Sequence, residues 1–121
     1  MYQIEVSELF EKQAKKLIKK YPSLAIELLT LQTQLAENPF MGVALGNDTY
    51  KIRLAVKSKG KGKSGGLRII DYVFKSNETI YLLSIYDKSD VSSISIETIK
   101  SYVSEILESF GWNDKKDDKK E

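Results

Sequence analysis

The chain has 121 residues, of which 41% are hydrophobic and 30% charged, and its formal net charge is +2. These proportions are typical of one soluble globular domain. There is no cysteine and no histidine, which excludes disulfides, thiol nucleophiles, Ser-His-Asp triads and metal sites built on either residue type. The N-terminus lacks the basic and apolar segments of a signal peptide, and no apolar run approaches the ~18 residues of a membrane span. We therefore expect a cytoplasmic protein.

The N-terminal third predicts one strand followed by two helices. Residues 2–6 alternate between apolar and polar side chains, as in a short half-buried strand. Ser7 fits the N-cap of a first helix, whose apolar face consists of Phe10, Ala14, Leu17 and Tyr21. Pro22 starts a second helix, with an apolar stripe made of Leu24, Leu28, Leu31 and Leu35 and broadened by Ile26 and Leu29. We expect these helices to form a hairpin that covers one face of a sheet.

The middle of the chain predicts a loop and then a basic strand. Residues 40–49 are expected to be loop, and residues 50–56 alternate strongly. The apolar row of this strand should pack under the helices, while its basic row, with Lys51 and Arg53, should lie on the opposite, open face. Residues 58–66 read SKGKGKSGG, a composition that predicts a mobile hairpin tip.

Two further strands, a helix and a tail complete the expected domain. The strands cover 67–74 and 79–86, and the second, which is the more apolar, is expected to be central. A helix capped by Ser95 should run to Phe110. The predicted fold is α+β, in the order β-α-α-β-β-β-α, with a small twisted, mainly antiparallel sheet and helices on one face. We expect one domain over 1–112 and a disordered charged tail over 113–121.

Positive charge is concentrated between the first of the three later strands and the start of the next. This region contains seven basic residues and no acidic one: Lys51, Arg53, Lys57, Lys59, Lys61, Lys63 and Arg68. The other 12 of the 19 basic residues are outnumbered by the 17 acidic ones. Such a patch predicts a site for RNA phosphates. The lysines of the first helix are either a solvated surface or a second RNA-contacting stripe, and both interpretations stay open.

Four segments resemble the RelE/ParE toxin superfamily of bacterial type II toxin–antitoxin systems, and HigB-type members of the RelE group in particular. The first is KIR at 51–53, and the second is KGKGKSGGLRIIDY at 59–72. The third is YLLSIYDK at 81–88, and the fourth is the hydroxyl-rich segment SSIS at 92–95. The resemblance covers nearly the whole chain except the charged tail. The loop followed by LRII and then YLLSIYDK at this spacing is its most specific part.

The resemblance implies a RelE-like fold and a ribosome-dependent endoribonuclease that cuts mRNA in the ribosomal A site and stops translation. It implies metal-free chemistry, in which the ribose 2′-hydroxyl attacks the adjacent phosphate, so no cofactor is expected. It also implies two partners, the ribosome with its mRNA and a cognate antitoxin, for which we expect a helix-turn-helix protein. Two alternatives remain: a ParE-like toxin that poisons DNA gyrase without cutting RNA, and a decayed toxin that retains only antitoxin binding.

The candidate catalytic residues are Arg53, Arg68, Tyr86 and Lys88. Arg68 matches an arginine of the family, and its planar fork suits a phosphate whose charge grows in the transition state. Tyr86 is a candidate base-stacking group or proton donor, and a crowded Lys88 is a candidate acid or base. The RelE pattern has a tyrosine near its C-terminus that this chain lacks in the matching region, which is near Ile94, so Tyr86 is the expected substitute. Expected contacts to RNA phosphates are Lys51, Lys57, Lys59, Lys61 and Lys63.

Each of these residues also has a purely structural interpretation. Tyr86 fits an aromatic residue that closes the core at a strand end, and Asp87 with Lys88 fits a surface turn pair. Arg68 is harder to explain in this way because no acidic residue lies near it on the N-terminal side.

Overall fold

Five strands form one sheet in the order β1-β5-β4-β3-β2. A computed structural model describes residues 1–60 and 65–109. In chain order the elements are β1 (Gln3–Val6), α1 (Glu8–Lys20), α2 (Leu24–Glu37), β2 (Val43–Gly46), β3 (Thr49–Leu54), β4 (Leu67–Phe74), β5 (Thr79–Asp87) and α3 (Ile96–Ser109). All neighbouring strands are antiparallel except β1 and β5, which are parallel. The α+β class and the mainly antiparallel sheet are therefore confirmed.

The helical hairpin forms as its sequence predicts. The Ser7 side chain caps α1 by accepting a hydrogen bond from the Phe10 backbone N–H at 3.0 Å. The four leucines of the α2 stripe are buried against the sheet. Ile26 and Leu29 do not broaden this stripe, because they remain 71% and 65% exposed. Their prediction as core residues is wrong: the sheet reaches only the leucine face of the helix.

One strand was missed. Residues 43–46, predicted as loop, form β2 and pair with β3 at the edge of the sheet. This strand has only four residues, with Gly46 at its end, and so carries little periodicity. As a consequence, β4 occupies the middle of the sheet and β5 lies next to the edge strand β1. The prediction that β5 is central is therefore wrong, although all nine of its residues are buried.

The helices lie on both faces of the sheet and not on one. On the hairpin side, α1 and α2 cover a cluster that includes Ile52, Ile69 and Leu82. On the α3 side, Ile99 with its half-buried neighbours covers Ile70 and Leu83. The reason is the composition of β4 and β5, whose side chains are apolar on both faces. An open basic face, as predicted for the sheet, would leave this second apolar surface in water.

Some expectations concern residues outside the described ranges. These residues are Lys61, Lys63, Phe110 at the end of the predicted helix, and the charged tail over 113–121. The division into a 1–112 domain and a tail stays a prediction. Within residues 1–60 and 65–109, no helix is long and apolar enough to cross a membrane.

Candidate nucleic-acid site

The sheet register brings three of the four candidate catalytic residues into one row. Arg53 on β3 pairs with Arg68 on β4, and Arg68 pairs with Tyr86 on β5. Directly opposed residues of antiparallel strands have side chains on the same face, with Cβ atoms about 4.5–5.5 Å apart. Two successive hairpins therefore place two guanidinium groups and a phenol side by side, although they are far apart in sequence.

The close approach of β3 and β4 at this end of the sheet depends on a glycine. A Cβ atom on Gly66 would collide with the backbone carbonyl oxygen of Leu54. Gly66 directly precedes β4, and Leu54 is the last residue of β3. A side chain here would push the two strands apart just beside the Arg53–Arg68 pair. The second glycine of the sequence SGG thus has a structural role in the row.

The members of the row differ in exposure. Arg53 is exposed, whereas Arg68 and Tyr86 are only 4% and 7% exposed. The Nη1 atom of Arg68 donates to the Leu67 carbonyl at 3.3 Å. Burial raises the pKa of the Tyr86 phenol above its usual 10, and the nearby Arg68 charge opposes this shift. At neutral pH Tyr86 therefore keeps its proton, which suits a proton donor better than a base.

The segment that leads into α3 accounts for the burial of Tyr86. A small cavity of about 40 Å³ lies between this segment and the sheet, and its walls include Lys51, Tyr86, Ser93 and Ile94. Lys51 is half-buried there. Ile94 lines the same cavity as Tyr86. The structure thus brings Lys51 and Ile94 to Tyr86, and the row lies beside a lined cavity and not on an open sheet face.

Lys88 lies outside the regular row. β5 ends at Asp87, and the backbone N–H groups of Asp90 and Val91 donate to the Asp87 carbonyl at 2.9 and 3.0 Å. Lys88 is therefore an exposed residue of a turn. A strand with a two-residue period through Tyr86 and Lys88 would direct both side chains to the same face, but the strand ends before Lys88. The sequence places Lys88 two residues after Tyr86, but it does not determine the direction of the Lys88 side chain.

The lysines of the basic loop separate into different groups. Lys57 is exposed in the short 3-10 turn Lys57–Lys59, whose first backbone N–H donates to Glu27 Oε2 at 2.7 Å. Lys59, predicted as an RNA-phosphate contact, contacts a carboxylate in this structure. Its Nζ atom lies 3.4 Å from Asp87 Oδ1, and its side chain is only 10% exposed. The ammonium group of Lys59 is therefore engaged by Asp87 and is largely shielded from solvent.

Asp87 was missed as an organising residue. Its carboxylate accepts hydrogen bonds from the Tyr21 hydroxyl at 2.9 Å and from the Ser89 N–H and hydroxyl at 3.0 and 2.6 Å. Burial alone would raise the pKa of this carboxyl, but Ser89, Tyr21 and Lys59 together lower it to about 2. The sequence shows only an acid between Tyr86 and Lys88. Tyr21 is 66 positions away, so nothing local signals the contact.

Asp71 is a second carboxyl that sequence reasoning did not single out. It is fully buried in β4, and neither of its carboxylate oxygens has a hydrogen-bond partner among the described residues. Burial raises its pKa to about 8. Because Ile69 and Val73 pack on the hairpin side, strand alternation directs Asp71 to that side as well. It therefore lies behind the sheet, away from the candidate row.

No group of three or more acidic side chains in the described part of the chain converges in an arrangement that could hold a metal ion. The chemical groups that the site offers are guanidinium, ammonium and phenol. They can bind a phosphate, stabilise added negative charge on it and donate a proton.

The architecture matches solved toxin structures. No protein-family model matches the sequence. The isolated RelE toxin of E. coli superposes with a TM-score of 0.55 at 20% identity, over 88% of this chain and all of that one. RelE in the intact E. coli RelBE toxin–antitoxin complex gives a TM-score of 0.55 at 20% identity, over 72% of this chain and 96% of that one.

A third structure is an E. coli RelE mutant bound to a peptide of the antitoxin RelB. It superposes with a TM-score of 0.55 at 20% identity, over 78% of this chain and 96% of that one. The fold of this chain is therefore that of the RelE-like toxins, as its sequence motifs predict. At this level of identity the likeness concerns the fold, and the activity has to be argued from the residues of the site.

Proposed function

We propose that the protein is the toxin of a type II toxin–antitoxin system, and that it cleaves mRNA on the ribosome by attack of the ribose 2′-hydroxyl on the adjacent phosphate. The observation that carries this proposal is the Arg53–Arg68–Tyr86 row. Two cations and a protonated phenol on one face match the needs of a phosphate that gains negative charge while its leaving oxygen gains a proton.

In this proposal Arg68 binds the scissile phosphate. Its burial fixes the guanidinium, so its planar fork loses little freedom when it contacts two phosphate oxygens. Arg53, on the exposed side of the row, contacts the same or the next phosphate. Tyr86 donates a proton to the leaving 5′-oxygen, in agreement with its raised pKa. Lys51 and the exposed Lys88 are the candidates for the group that activates the 2′-hydroxyl: the one that is a neutral amine takes the proton of the attacking oxygen, and the other, as an ammonium group, adds positive charge.

The partners follow from the same assignment. The exposed Lys57, with Lys61 and Lys63, is proposed to contact ribosomal RNA phosphates without reading sequence. The E. coli RelE structures that are bound to RelB support the expectation of an antitoxin that binds and neutralises this chain. The assignment to the HigB type and the cytoplasmic location belong to the same proposal.

Arg68→Lys tests the proposal because it keeps the charge and most of the buried stem but removes the bidentate fork. We expect the variant to fold, to lose its inhibition of growth, and to cut ribosome-bound mRNA roughly 100-fold or more slowly than the original protein. The matched control is Lys75→Met, which removes an exposed cation just beyond the other end of β4. That variant should keep full activity.

Two outcomes would contradict the proposal. If the original protein leaves mRNA intact while double-strand DNA breaks accumulate, it acts as a gyrase poison. If it has no effect on growth but still binds an antitoxin, it is a decayed toxin. Wild-type cleavage by Arg68→Lys would leave the nuclease assignment standing but would overturn the role of Arg68.

A further inference from the structure

One carboxylate ties the end of β5 to two distant parts of the chain and to the turn that follows the strand. Asp87 is 3% exposed. Its carboxylate accepts hydrogen bonds from Tyr21, at the end of α1, and from Ser89, in the segment that leads to α3. It also forms an ion pair with Lys59, in the turn after β3. A buried charge requires such partners to offset its loss of hydration. A residue pair in an exposed surface turn, which is the structural interpretation of Asp87 and Lys88, would not require such partners.

Lys59 extends this network across the β3–β4 connection. Its ammonium group donates to the Gly65 carbonyl at 2.8 Å while it contacts Asp87. Its Nζ atom also lies 5.8 Å from the centre of the Tyr21 ring, a cation–π distance. Lys59 and Gly65 stand on opposite sides of the connection. One ammonium group therefore links the two ends of the β3–β4 connection to each other and to the end of β5.

The network adjoins the candidate row along the chain but lies on the other face of the sheet, because Asp87 pairs with Leu67, which packs in the hairpin-side core. Asp87 follows Tyr86 in the chain and pairs with Leu67, the residue before Arg68. It also precedes Lys88, whose turn is held by the Ser89 hydrogen bonds and by the Asp87 carbonyl. A change at Asp87 thus acts on the start of β4, the end of β5 and the Lys88 turn together.

We propose that Asp87, acting through Lys59, Tyr21 and Ser89, is a positioning residue that holds Arg68, Tyr86 and Lys88 in the geometry required for RNA cleavage. This inference rests on the proposed function. It assigns Lys59 to the internal support of the site, in place of the phosphate contact that its sequence predicts. Loss of the network is expected to impair the chemical step, since small displacements of reacting groups are costly, and to change ribosome binding little.

The test is a double-mutant cycle with Asp87→Asn and Lys59→Met, both nearly the size of the residues they replace. The chain offers a matched control cycle in Asp48→Asn and Lys75→Met, which affects an exposed pair with Nζ and Oδ1 3.2 Å apart. For Asp87→Asn we expect the single-turnover rate constant on mRNA-programmed ribosomes to fall by on the order of tenfold or more. The concentration of protein that gives half the maximal rate should change less than about threefold, and the control cycle should change neither quantity.

The double variant separates positioning from mere stability. Asp87→Asn leaves the Lys59 ammonium without its carboxylate, which lowers stability by itself. Lys59→Met in the same chain removes that unpaired charge and should restore much of the lost thermal stability. We expect the cleavage rate to stay low, because the amide of the variant offers one acceptor oxygen in place of two and cannot serve both Tyr21 and Ser89. Recovery of the wild-type rate in the double variant, or a wild-type rate in folded Asp87→Asn, would overturn the inference.

A readout that needs no activity completes the test. In Asp87→Ala, which leaves no side-chain acceptor, the backbone N–H of Ser89 should exchange with solvent faster than in the original protein, and that of Phe10, which Ser7 caps, should not. Unchanged exchange at Ser89 would overturn the network itself. Absence of cleavage by the original protein would instead contradict the proposed nuclease, so failure of the network and failure of the function give different results.

Discussion

The two faces of the sheet are covered to very different degrees. On the hairpin side, Leu24 and Leu35 of α2 are completely buried, with Phe10 of α1 beside them. On the other side, Ile99 is the one fully buried residue within the Ile96–Ser109 span of α3. A cavity of about 410 Å³ remains between α3 and the β2–β3 edge. The thick side supplies stability, and the thin side carries the candidate site.

The two buried carboxyls form a second contrast, in their hydrogen-bond partners and not in the face of the sheet that they occupy. Asp71, under the helical hairpin, has no hydrogen-bond partner among the described residues, and its pKa is raised to about 8. Asp87, at the strand end beside the site, has several partners, and its pKa is lowered to about 2. Burial disfavours the charged form of both groups, so the partners alone account for the opposite directions. A well-packed core protonates an acid, whereas a network of donors keeps one ionised.

The largest expected effect concerns Asp71 and pH. Its folded pKa of about 8 lies above its unfolded value of 3.8, so between these values the folded protein holds a proton that the unfolded chain has released. The contribution of Asp71 to the free energy of unfolding should be greatest below about pH 4. It should fall by on the order of 5 kcal/mol as the pH rises to about 8.

Urea unfolding from pH 5 to pH 8 measures this slope. Asp71→Asn removes the titrating proton, so its unfolding free energy should vary less with pH than that of the original protein. Asp48→Asn, at an exposed position, is the control and should keep the original slope. An identical slope in Asp71→Asn would show that the carboxyl is ionised in the folded state or reaches water.

Truncation of the thick core should come next in size. Leu35→Ala removes a completely buried side chain and leaves a cavity, so we expect a loss of about 3 kcal/mol in urea unfolding. Leu29→Ala is the matched control on the same helix, because Leu29 is 65% exposed, and its cost should be under about 0.5 kcal/mol. Similar losses in the two variants would contradict the assignment of one buried and one exposed leucine face to α2.

The smallest effect is expected on the thin side. Ile106→Ala shortens a half-buried side chain of α3 and should cost about 1 kcal/mol.

Native-state hydrogen exchange sharpens the comparison. Backbone N–H groups of α3 should exchange through local opening, at a lower free energy than those of α1, which should exchange with global unfolding. Equal protection of α1 and α3 would show that the two faces are equally stable and that the contrast in burial has no energetic counterpart.

Much of the fold could be predicted because its signals are local. The Ser7 cap, the leucine face of α2 and the strands β4 and β5 follow from spacing within about ten residues. The errors arise where an element is too short to show periodicity or carries apolar residues on more than one face. β2 has too few residues to show alternation, and Ile26 and Leu29 are apolar without facing the sheet. β4 and β5 are apolar on both faces, which indicates a second cover but not that α3 provides it.

The candidate site shows the same division. Arg53, Arg68 and Tyr86 were identified from residue type and motif, and the register then placed them opposite one another. For Lys59 the sequence offered a lysine among other lysines and predicted a phosphate contact. Its true neighbours are Asp87 and Tyr21, which lie in other parts of the chain. Side-chain partners across such distances depend on the packing of α1 against the sheet, and no local pattern encodes it.

By itself the sequence determined the fold class, the helical hairpin, the concentration of positive charge and the chemical groups from which a phosphate site can be built. The tertiary structure decided the face that α3 covers, the row that joins three strands, and the opposite states of Asp71 and Asp87. The physical reason is that helices and strands depend on periodicities within a few residues, whereas burial and ion pairing depend on contacts between residues far apart in the chain.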